Sequence, residues 1–270
     1  MGEFKLFRRS DSQGVATIEI GNPPVNLVDL DFIGDLTRLL DDLESVDQVR
    51  VVIFRSSLPD YFVNHYDLSG RSVPKPDAPS YSQLLARLSR IPQVTIAEIR
   101  GRTRGAGSEF ALALDMRFAS LEHARFGQPE VGVGLHPGAG GTQRLPALMG
   151  RGRALEVMLS GEDYDATLAE RYGWINRAFP DRELSGFVDA LAARIAGFPA
   201  IGTRNVKAFV NRSFLPADEV LSDEILEFRR AMKNPEFAAR LRWLFSRGAQ
   251  TGGEAELEMG TMLASYTAPC

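Results

Sequence analysis

The sequence predicts an α/β fold that gives way to a mostly helical C-terminal region. Short β-type runs alternate with amphipathic segments up to about residue 150, and strand-like segments nearly vanish after Arg151. Alternation of this kind is typical of a parallel sheet with helices on its faces. The 270 residues suit one α/β unit with a helical appendage, and 44% hydrophobic and 24% charged residues are ordinary for a globular chain.

The elements of the first part are predicted from the period of their apolar residues. Alternating apolar and polar residues indicate a strand, and apolar residues three and four apart indicate a helix. The predictions in order are a strand at Val15–Ile20, a helix at Leu30–Leu43, a strand at Val51–Phe54, a helix at Tyr81–Leu88 and a strand at Val94–Ile99. Between them, Ser69–Ser80 is rich in Pro, Ser, Lys and Asp, which predicts either a solvated loop or a flap over a substrate.

The second part is predicted to be helical, apart from an extended segment at Trp174–Ala178. The predicted helices are Ala154–Leu159, Ala166–Arg171, Leu184–Ile195, Ala200–Val210, Ala217–Met232 and Pro235–Ser246. The last two carry apolar residues at spacings that form one face, namely Leu221, Ile225, Leu226 and Phe228, then Phe237, Leu241, Leu244 and Phe245. A face of this size must be buried against the core of the chain or against another subunit.

Two glycine-dense segments, Gly101–Glu109 and Phe126–Glu130, each end on a glutamate. Glycine lets the backbone turn sharply and approach a ligand, and the apolar run Phe110–Leu114 predicts the first turns of a helix. Free N–H groups at a helix start stabilise a developing oxyanion, and two carboxylates can transfer protons. Two further segments, Tyr61–Leu68 and Gly134–Leu145, complete a set suited to chemistry on a carbonyl compound.

These segments and their order resemble the crotonase (enoyl-CoA hydratase/isomerase) superfamily from about Val15 to Asn211. The resemblance is carried by Pro24–Leu27, Val51–Phe54, Phe62–Leu68, Gly101–Glu109, Gln128–Glu130 and Pro137–Leu145. It implies a right-handed spiral of repeated ββα units over residues 1–199. It also implies that residues 200–270 form a helical region that serves trimerisation and closes the pocket.

The resemblance also implies which residues form the site. Glu109 and Glu130 match the two catalytic glutamates, and the backbone N–H groups of Tyr66 and Ala106 match the two oxyanion donors. The family has Ala and Gly at the donor positions, but a backbone donor survives either replacement. Substrate or CoA contacts are implied for Asn26, Leu27, Asn64, His65, Asp67, Leu68, Gly105, Pro129 and Gly138.

Some residues depart from the family pattern. His65 and Tyr66 add bulk beside the pocket, and Arg102 and Arg104 replace apolar residues. Whether the arginines pair with acidic neighbours or with CoA phosphate stays open. Gly138 stands where dienoyl-CoA isomerases and aromatic dehalogenases place an aspartate, which disfavours those reactions. The segment from Ala249 onward has no counterpart of the aromatic–Lys/Arg pattern that helps many hydratases bind the CoA nucleotide.

The expected function is that of a lyase, a 2-enoyl-CoA hydratase that adds water across the 2,3 double bond of a CoA thioester. Isomerisation, decarboxylation and thioester cleavage remain as alternatives within the same superfamily. A non-catalytic binding protein, including an RNA-binding relative, is a third hypothesis. No cofactor is expected, because CoA belongs to the substrate, and the resemblance implies a homotrimer or hexamer.

Composition narrows the partners and the compartment. A net charge of −4 disfavours a nucleic-acid partner, which normally needs a basic face. Cys270 is the single cysteine, so no intrachain disulfide can form, and three histidines without ligand spacing predict no metal site. The N-terminus lacks the apolar core of a signal peptide, and no stretch reaches the length of a membrane span. The expectation is a cytoplasmic protein that binds no membrane.

Overall fold

Two β-sheets form the centre of the computed structural model, which describes residues 4–45, 47–70 and 79–267. The strands are β1 (Phe7–Ser12), β2 (Val15–Ile20), β3 (Val51–Ser56), β4 (Tyr61–Val63), β5 (Val94–Ile99), β6 (Arg102–Arg104), β7 (Met116–Ser120), β8 (Arg125–Gly127), β9 (Asp163–Asp165) and β10 (Arg177–Phe179). The first sheet has the order β1-β2-β3-β5-β7-β10, and the second has the order β4-β6-β8-β9. Only the β1–β2 and β8–β9 pairs are antiparallel among these ladders.

Helices connect and cover the sheets. They are α1 (Leu30–Ser45), α2 (Tyr81–Arg90), α3 (Ala106–Ala113), α4 (Gly141–Met149), α5 (Arg151–Ser160), α6 (Ala166–Tyr172), α7 (Asp181–Ala196), α8 (Ala200–Phe214), α9 (Asp218–Ala231), α10 (Pro235–Ser246), α11 (Glu254–Leu257) and α12 (Met259–Ala264). A single 3₁₀ turn, Glu130–Val133, follows β8. Of the predicted loop Ser69–Ser80, residues 71–78 lie outside the described residues.

The chain winds by giving one strand to each sheet in turn. β3 lies in the first sheet and β4 in the second, and the pairs β5/β6 and β7/β8 repeat this order. A helix follows each of these pairs: α2, α3 and, after the 3₁₀ turn, α4. The predicted spiral of repeated ββα units, with helices at the C-terminal end, is therefore confirmed.

Residues 51–54 of the central strand β3 are all apolar because both faces of the strand are covered. Val52 and Phe54 point into the main core between sheet and helices, whereas Val51 and Ile53 pack under α7. A parallel strand that is covered on both faces loses the alternating pattern of a half-exposed strand. The predicted strands at Val15–Ile20 and Val94–Ile99 match the observed bounds.

Some predicted bounds differ from the structure. The helix expected to begin at Phe110 begins at Ala106, because the small buried residues after Gly105 already take helical backbone. In the segment Trp174–Ala178, only the end joins a strand, since Trp174 and Ile175 are buried in the core while the chain bends. The three-residue strand β9 was not predicted, because its sequence Asp-Tyr-Asp carries little strand signal.

The apolar positions of α9 and α10 pack against their own chain. Phe237 and Leu244 join Val133 and Leu135 in a third core cluster, where Phe228, Leu241 and Phe245 pack against them. Of the two sequence alternatives, burial against the core accounts for most of this face, while Leu226 stays 51% exposed. The division into a core at residues 1–199, which carries the active site, and a helical region at residues 200–270, for trimerisation and pocket closure, stays a prediction.

Candidate active site

Three neighbouring strands of the second sheet deliver the candidate residues to one edge. β4, β6 and β8 run parallel, so their carboxyl ends meet on the same side. Tyr66 follows β4, Ala106 follows β6 and Glu130 follows β8. The ββα winding thus brings together residues that are far apart in the sequence, from Tyr66 to Glu130. The sheet edge beyond parallel strands is the usual place for a binding site in an α/β protein.

The first turn of α3 places the Ala106 amide at this edge. Gly105 precedes the helix with φ of 51°, in the left-handed region that favours glycine. Gly107 lies so close to β4 that a Cβ atom there would be 1.9 Å from the carbonyl oxygen of Val63. Within the described chain, the amides of Tyr66 and Ala106 donate to no other group. Both are therefore available to a ligand oxygen.

Glu109, one turn into α3, is buried and held by the start of α4. Its Oε1 atom accepts hydrogen bonds from the amides of Ala139 at 2.7 Å and Gly141 at 2.9 Å. Burial raises the pKa of Glu109 well above its usual value, and the nearby carboxylates of Glu130 and Glu224 raise it further. The two amides act in the opposite direction but do not outweigh burial.

Glu130 begins the 3₁₀ turn and faces the same space. The residue is partly exposed, but its Oε2 atom is buried and has no hydrogen-bond partner in the described chain. Burial raises the pKa of Glu130 to about 7, although the charge of His65 works against this shift. Two carboxyl groups with raised pKa values thus face one space, an arrangement suited to acid–base chemistry near neutral pH.

These groups line a cavity of about 610 Å³ between the spiral and the C-terminal helices. Its volume lies in the ordinary range for a small-molecule site. Of the predicted site residues, the wall includes His65, Tyr66, Asp67, Leu68, Ala106, Glu109, Pro129, Glu130 and Gly138. The C-terminal region supplies apolar side chains, including Ile225, Phe228, Leu241, Phe245, Met259 and Leu263. Gly138 leaves room for Phe228, whose ring atoms would be 2.7 Å from a Cβ at that position.

Four predicted substrate contacts do not line this cavity: Asn26, Leu27, Asn64 and Gly105. Asn26 is fully buried, and its amide donates to Ser56 and to the carbonyls of Tyr61 and Phe62, which fixes the path of β4. Asn64 is equally buried and donates to Glu256 at 2.9 Å. Asn26 thus contacts the end of β3 and strand β4, and Asn64 contacts Glu256. Contact of either asparagine with substrate stays a prediction.

The structure gives Arg104 an acidic partner, whereas the observed acceptor of Arg102 is a carbonyl. Arg104 is buried and pairs with Asp163, and it also donates to the carbonyls of Glu256 and Leu257. Arg102 donates to the carbonyl of Leu257 at 3.0 Å. Both arginines therefore bind the C-terminal segment, and Arg104 has the acidic neighbour that was one of the two alternatives.

Several groups near the site were not predicted from the sequence. Tyr81 on α2 lines the cavity and donates to the carbonyl of Ala106 at 2.9 Å. Glu224 on α9 accepts from Thr142 at the start of α4, and its Oε2 atom is buried without a partner in the described chain. Glu224 could have been found from its position beside Leu221 and Phe228 on an otherwise apolar helix face, because a charge that is buried there is costly unless it is paired.

Metal and membrane predictions can be compared with the described residues. There, no cluster of histidine, cysteine, aspartate and glutamate side chains could hold a metal ion. No single helix in the same residues is long and apolar enough to cross a membrane. The consecutive helices α7 and α8 meet that test only as a pair, which bends by 109°.

Comparison with known proteins identifies the family. The enoyl-CoA hydratase/isomerase family model matches residues 10–239. The chain belongs to this family. It is 30% identical, over 204 residues, to the short-chain-enoyl-CoA hydratase of Clostridium acetobutylicum, covering 73% of this chain and 78% of that protein. It is 34% identical, over 218 residues, to YngF of Bacillus subtilis, which is provisionally named an enoyl-CoA hydratase/isomerase, covering 78% and 83%.

A solved structure gives the same result for the fold. A Streptomyces avermitilis protein, provisionally described as an enoyl-CoA hydratase, superposes with a TM-score of 0.94 at 42% identity, covering 99% of both chains. The fold is therefore crotonase-like, with two mixed sheets and C-terminal helices. Family membership implies an acyl-CoA substrate, while the exact reaction differs between members.

Proposed function

We propose that this protein is a 2-enoyl-CoA hydratase. The observation that carries the proposal is that two carboxyl groups, Glu109 and Glu130, share one cavity with two backbone amides that have no acceptor in the described chain. An oxyanion and two proton-transfer steps are what hydration of a conjugated thioester requires. Relatives with printed hydratase names support the same reaction.

The chemistry follows from the properties of each group. The amides of Tyr66 and Ala106 hold the thioester oxygen as negative charge develops on it, which stabilises the enolate-like intermediate. One carboxylate orients a water and takes its proton while the hydroxyl adds to C3. The other carboxyl delivers a proton to C2. With raised pKa values, the pair retains a proton near neutral pH, so it can serve as acid and base together.

The alternatives use the same oxyanion site with other acid–base steps. A double-bond isomerase moves one proton between two carbons of a 3-enoyl thioester, and a single carboxylate suffices for that transfer. Decarboxylation and thioester cleavage need a malonyl-type or hydrolysable thioester instead. The presence of both glutamates at the cavity favours hydration, since that reaction uses one carboxyl group as a base and the other as an acid.

The experiment measures products from a panel of CoA thioesters by mass spectrometry. The panel contains crotonyl-CoA, longer and branched 2-enoyl-CoAs, 3-enoyl-CoAs, a malonyl-type thioester and 3-hydroxyacyl-CoAs. We expect a product heavier by one water from 2-enoyl substrates, and the reverse from 3-hydroxyacyl substrates. Products from the 3-enoyl or malonyl-type thioesters alone would overturn the hydratase proposal in favour of an alternative.

Isosteric variants test the two carboxyl groups. Glu109→Gln and Glu130→Gln should each lower kcat by about 10²–10⁴-fold, the usual contribution of a general acid or base. Glu183→Gln removes an exposed carboxylate on α7, away from the cavity, and is the control. Full activity in both active-site variants would refute the mechanism. Salt-sensitive RNA binding without any thioester turnover would instead support a non-catalytic binding protein.

We also propose that the enzyme is a homotrimer or a hexamer. The support is the exposed apolar surface of α8, where Ile201, Val206, Phe209 and Val210 are 68%, 66%, 61% and 60% exposed. Large apolar side chains at this exposure on one helix are typical of a surface that another subunit covers. The C-terminal region would then both close the pocket of its own chain and contact its neighbours.

A further inference from the structure

A polar cluster joins residues 64–68, the oxyanion loop that carries the Tyr66 amide, to the C-terminal segment from Gln250 to Leu257. We name it the latch, and it consists of Asn64, His65, Arg104, Gln250 and Glu256. Glu256 is fully buried, and its carboxylate accepts from Asn64, from His65 and from the backbone amide of Gln250. The side chain of Gln250 donates to the carbonyl of Tyr66 at 3.0 Å. The residue that carries one oxyanion donor is thus held directly by the C-terminal segment.

Both ring nitrogens of His65 face acceptors. Nε2 lies 3.1 Å and 3.2 Å from the two carboxylate oxygens of Glu256, and Nδ1 lies 3.2 Å from the carbonyl oxygen of Tyr66. The amide of Gln250 lies 3.4 Å from Nδ1 but is closer, at 3.0 Å, to the same carbonyl. An imidazole between two acceptors uses both N–H groups only when it is protonated, so these contacts favour the imidazolium over a neutral ring, whose Nδ1 could only accept from Gln250.

His65 also borders Glu130 across the glycine that precedes α3. A Cβ atom on Gly105 would lie 3.2 Å from the Cβ of His65 and 3.0 Å from Oε1 of Glu130, so both side chains flank one point. His65 and Glu130 line the same cavity. A charge on the imidazole therefore acts on the carboxyl group assigned to proton transfer.

We propose that Glu256 is a positioning residue of the active site, which holds His65 as a cation against Glu130 and fixes the loop that carries the Tyr66 amide. The proposal rests on the proposed function for the role of Glu130, but the state of the His65 ring can be measured without turnover. The segment from Gln250 to Leu257 thereby supports an oxyanion loop that lies about 190 residues earlier in the sequence.

The charges around these groups are compatible with a cationic His65. Around the ring, Glu256 favours the proton, whereas Arg104 and burial disfavour it, and together they leave the pKa of His65 raised. The pKa of Glu256 is lowered to about 2, with the charge of His65 and the hydrogen bond to its ring among the causes. Around Glu130, the charged and titratable neighbours are His65, Glu109 and Glu224. His65 is the cation in that set, whereas the buried Arg144 interacts with Glu109 and Glu224, so loss of His65 removes the positive charge beside Glu130.

The first experiment titrates the histidine rings by NMR in protein labelled with 13Cε1-histidine. The chain has three histidines, so the His65→Gln variant assigns the signal by its disappearance. We expect the wild-type His65 signal to show the imidazolium form through neutral pH, with a pKa above the ordinary value near 6.5. A wild-type ring that titrates near 6.5 would overturn the proposal.

The second experiment compares pH profiles of kcat/KM for the wild type, Glu256→Gln, His65→Gln and the double variant. Loss of a nearby positive charge should move the limb that reports Glu130 upward by about one pH unit. Both single variants should shift it in the same direction, and the double variant should add no further shift. Glu258→Gln, which removes an exposed carboxylate two residues away, should leave the limb unchanged.

The outcomes separate the two proposals. If no thioester is turned over but His65 stays protonated, the proposed function fails while the latch assignment survives. If turnover occurs and both single variants lose activity at every pH without moving the limb, the latch is only structural and the proposal is refuted. If Glu256→Gln does not fold, His65→Gln carries the same test, because glutamine can still donate to Glu256.

Discussion

Removal of the Arg104 side chain should strongly destabilise the protein. Its guanidinium is fully buried, donates to Asp163 through two nitrogens, and also donates to the carbonyls of Glu256 and Leu257. Arg104→Met keeps an unbranched apolar side chain in this space but deletes every one of these donors. The perturbation therefore separates charge and hydrogen bonding from simple loss of volume.

The expected cost follows from what is left unpaired. Loss of one partner of a buried ion pair costs about 3–5 kcal/mol, and Asp163, whose side chain is 23% exposed, places the value near 3 kcal/mol. The Glu256 carbonyl loses a donor at about 1 kcal/mol, while the Leu257 carbonyl keeps Arg102. The sum of about 4 kcal/mol corresponds to a fall in Tm of roughly 10 °C.

The assay is thermal unfolding of matched variants. Arg104→Met with Asp163→Leu removes both charges and should recover to within about 1–2 kcal/mol of the wild type. Arg8→Met is the control, because that side chain is 86% exposed and its pair with Glu19 lies at the surface. A loss below about 1 kcal/mol in the single variant, or no recovery in the double variant, would refute the reasoning.

Three further predictions concern a proton, a glycine and a surface. The pKa of Glu130 is about 7 in the fold against 4.5 ordinarily, so its stabilising contribution is lost as the pH rises through that window. The Tm of Glu130→Gln minus that of the wild type should therefore increase from about pH 5 to pH 8. A difference that stays constant with pH would contradict this. Gly107→Ala, with its Cβ 1.9 Å from the Val63 carbonyl, should give insoluble or unfolded protein by circular dichroism, and a soluble, active variant would be the contrary result. Val206→Asp with Phe209→Asp should give a 29.7 kDa monomer by light scattering, and an unchanged oligomer would place the interface elsewhere.

The fold could be predicted from the sequence where the signal is local. Strands β2 and β5 and the helices α5 to α10 follow from apolar periodicity, because burial of one face imposes that period. The three-residue strands β6, β8 and β9 could not be predicted, because so short a segment pairs only when neighbouring strands already stand beside it. Their pairing is nevertheless what brings the site residues to one edge.

The candidate site could be predicted as far as its residues come from known motifs. Glu109, Glu130 and Ala106 line the cavity where the resemblance implied, whereas the partner of His65 could not be found. Nothing near His65 in sequence indicates Glu256, because their contact depends on how the last helices fold back over the spiral. Long-range polar pairs of this kind are set by tertiary packing and leave no periodic trace.

The departures from the family pattern share one physical explanation. His65, Arg102 and Arg104 all contact the segment from Gln250 to Leu257, which lacks the usual aromatic–Lys/Arg pattern. A buried charge is costly unless it is paired, so Glu256 would be unfavourable without His65. Arg104 is paired with Asp163, but without the segment it would lose two carbonyl acceptors. The unusual loop residues and the unusual C-terminal segment therefore form one interface, and a change of charge in either half should shift the pKa of Glu130.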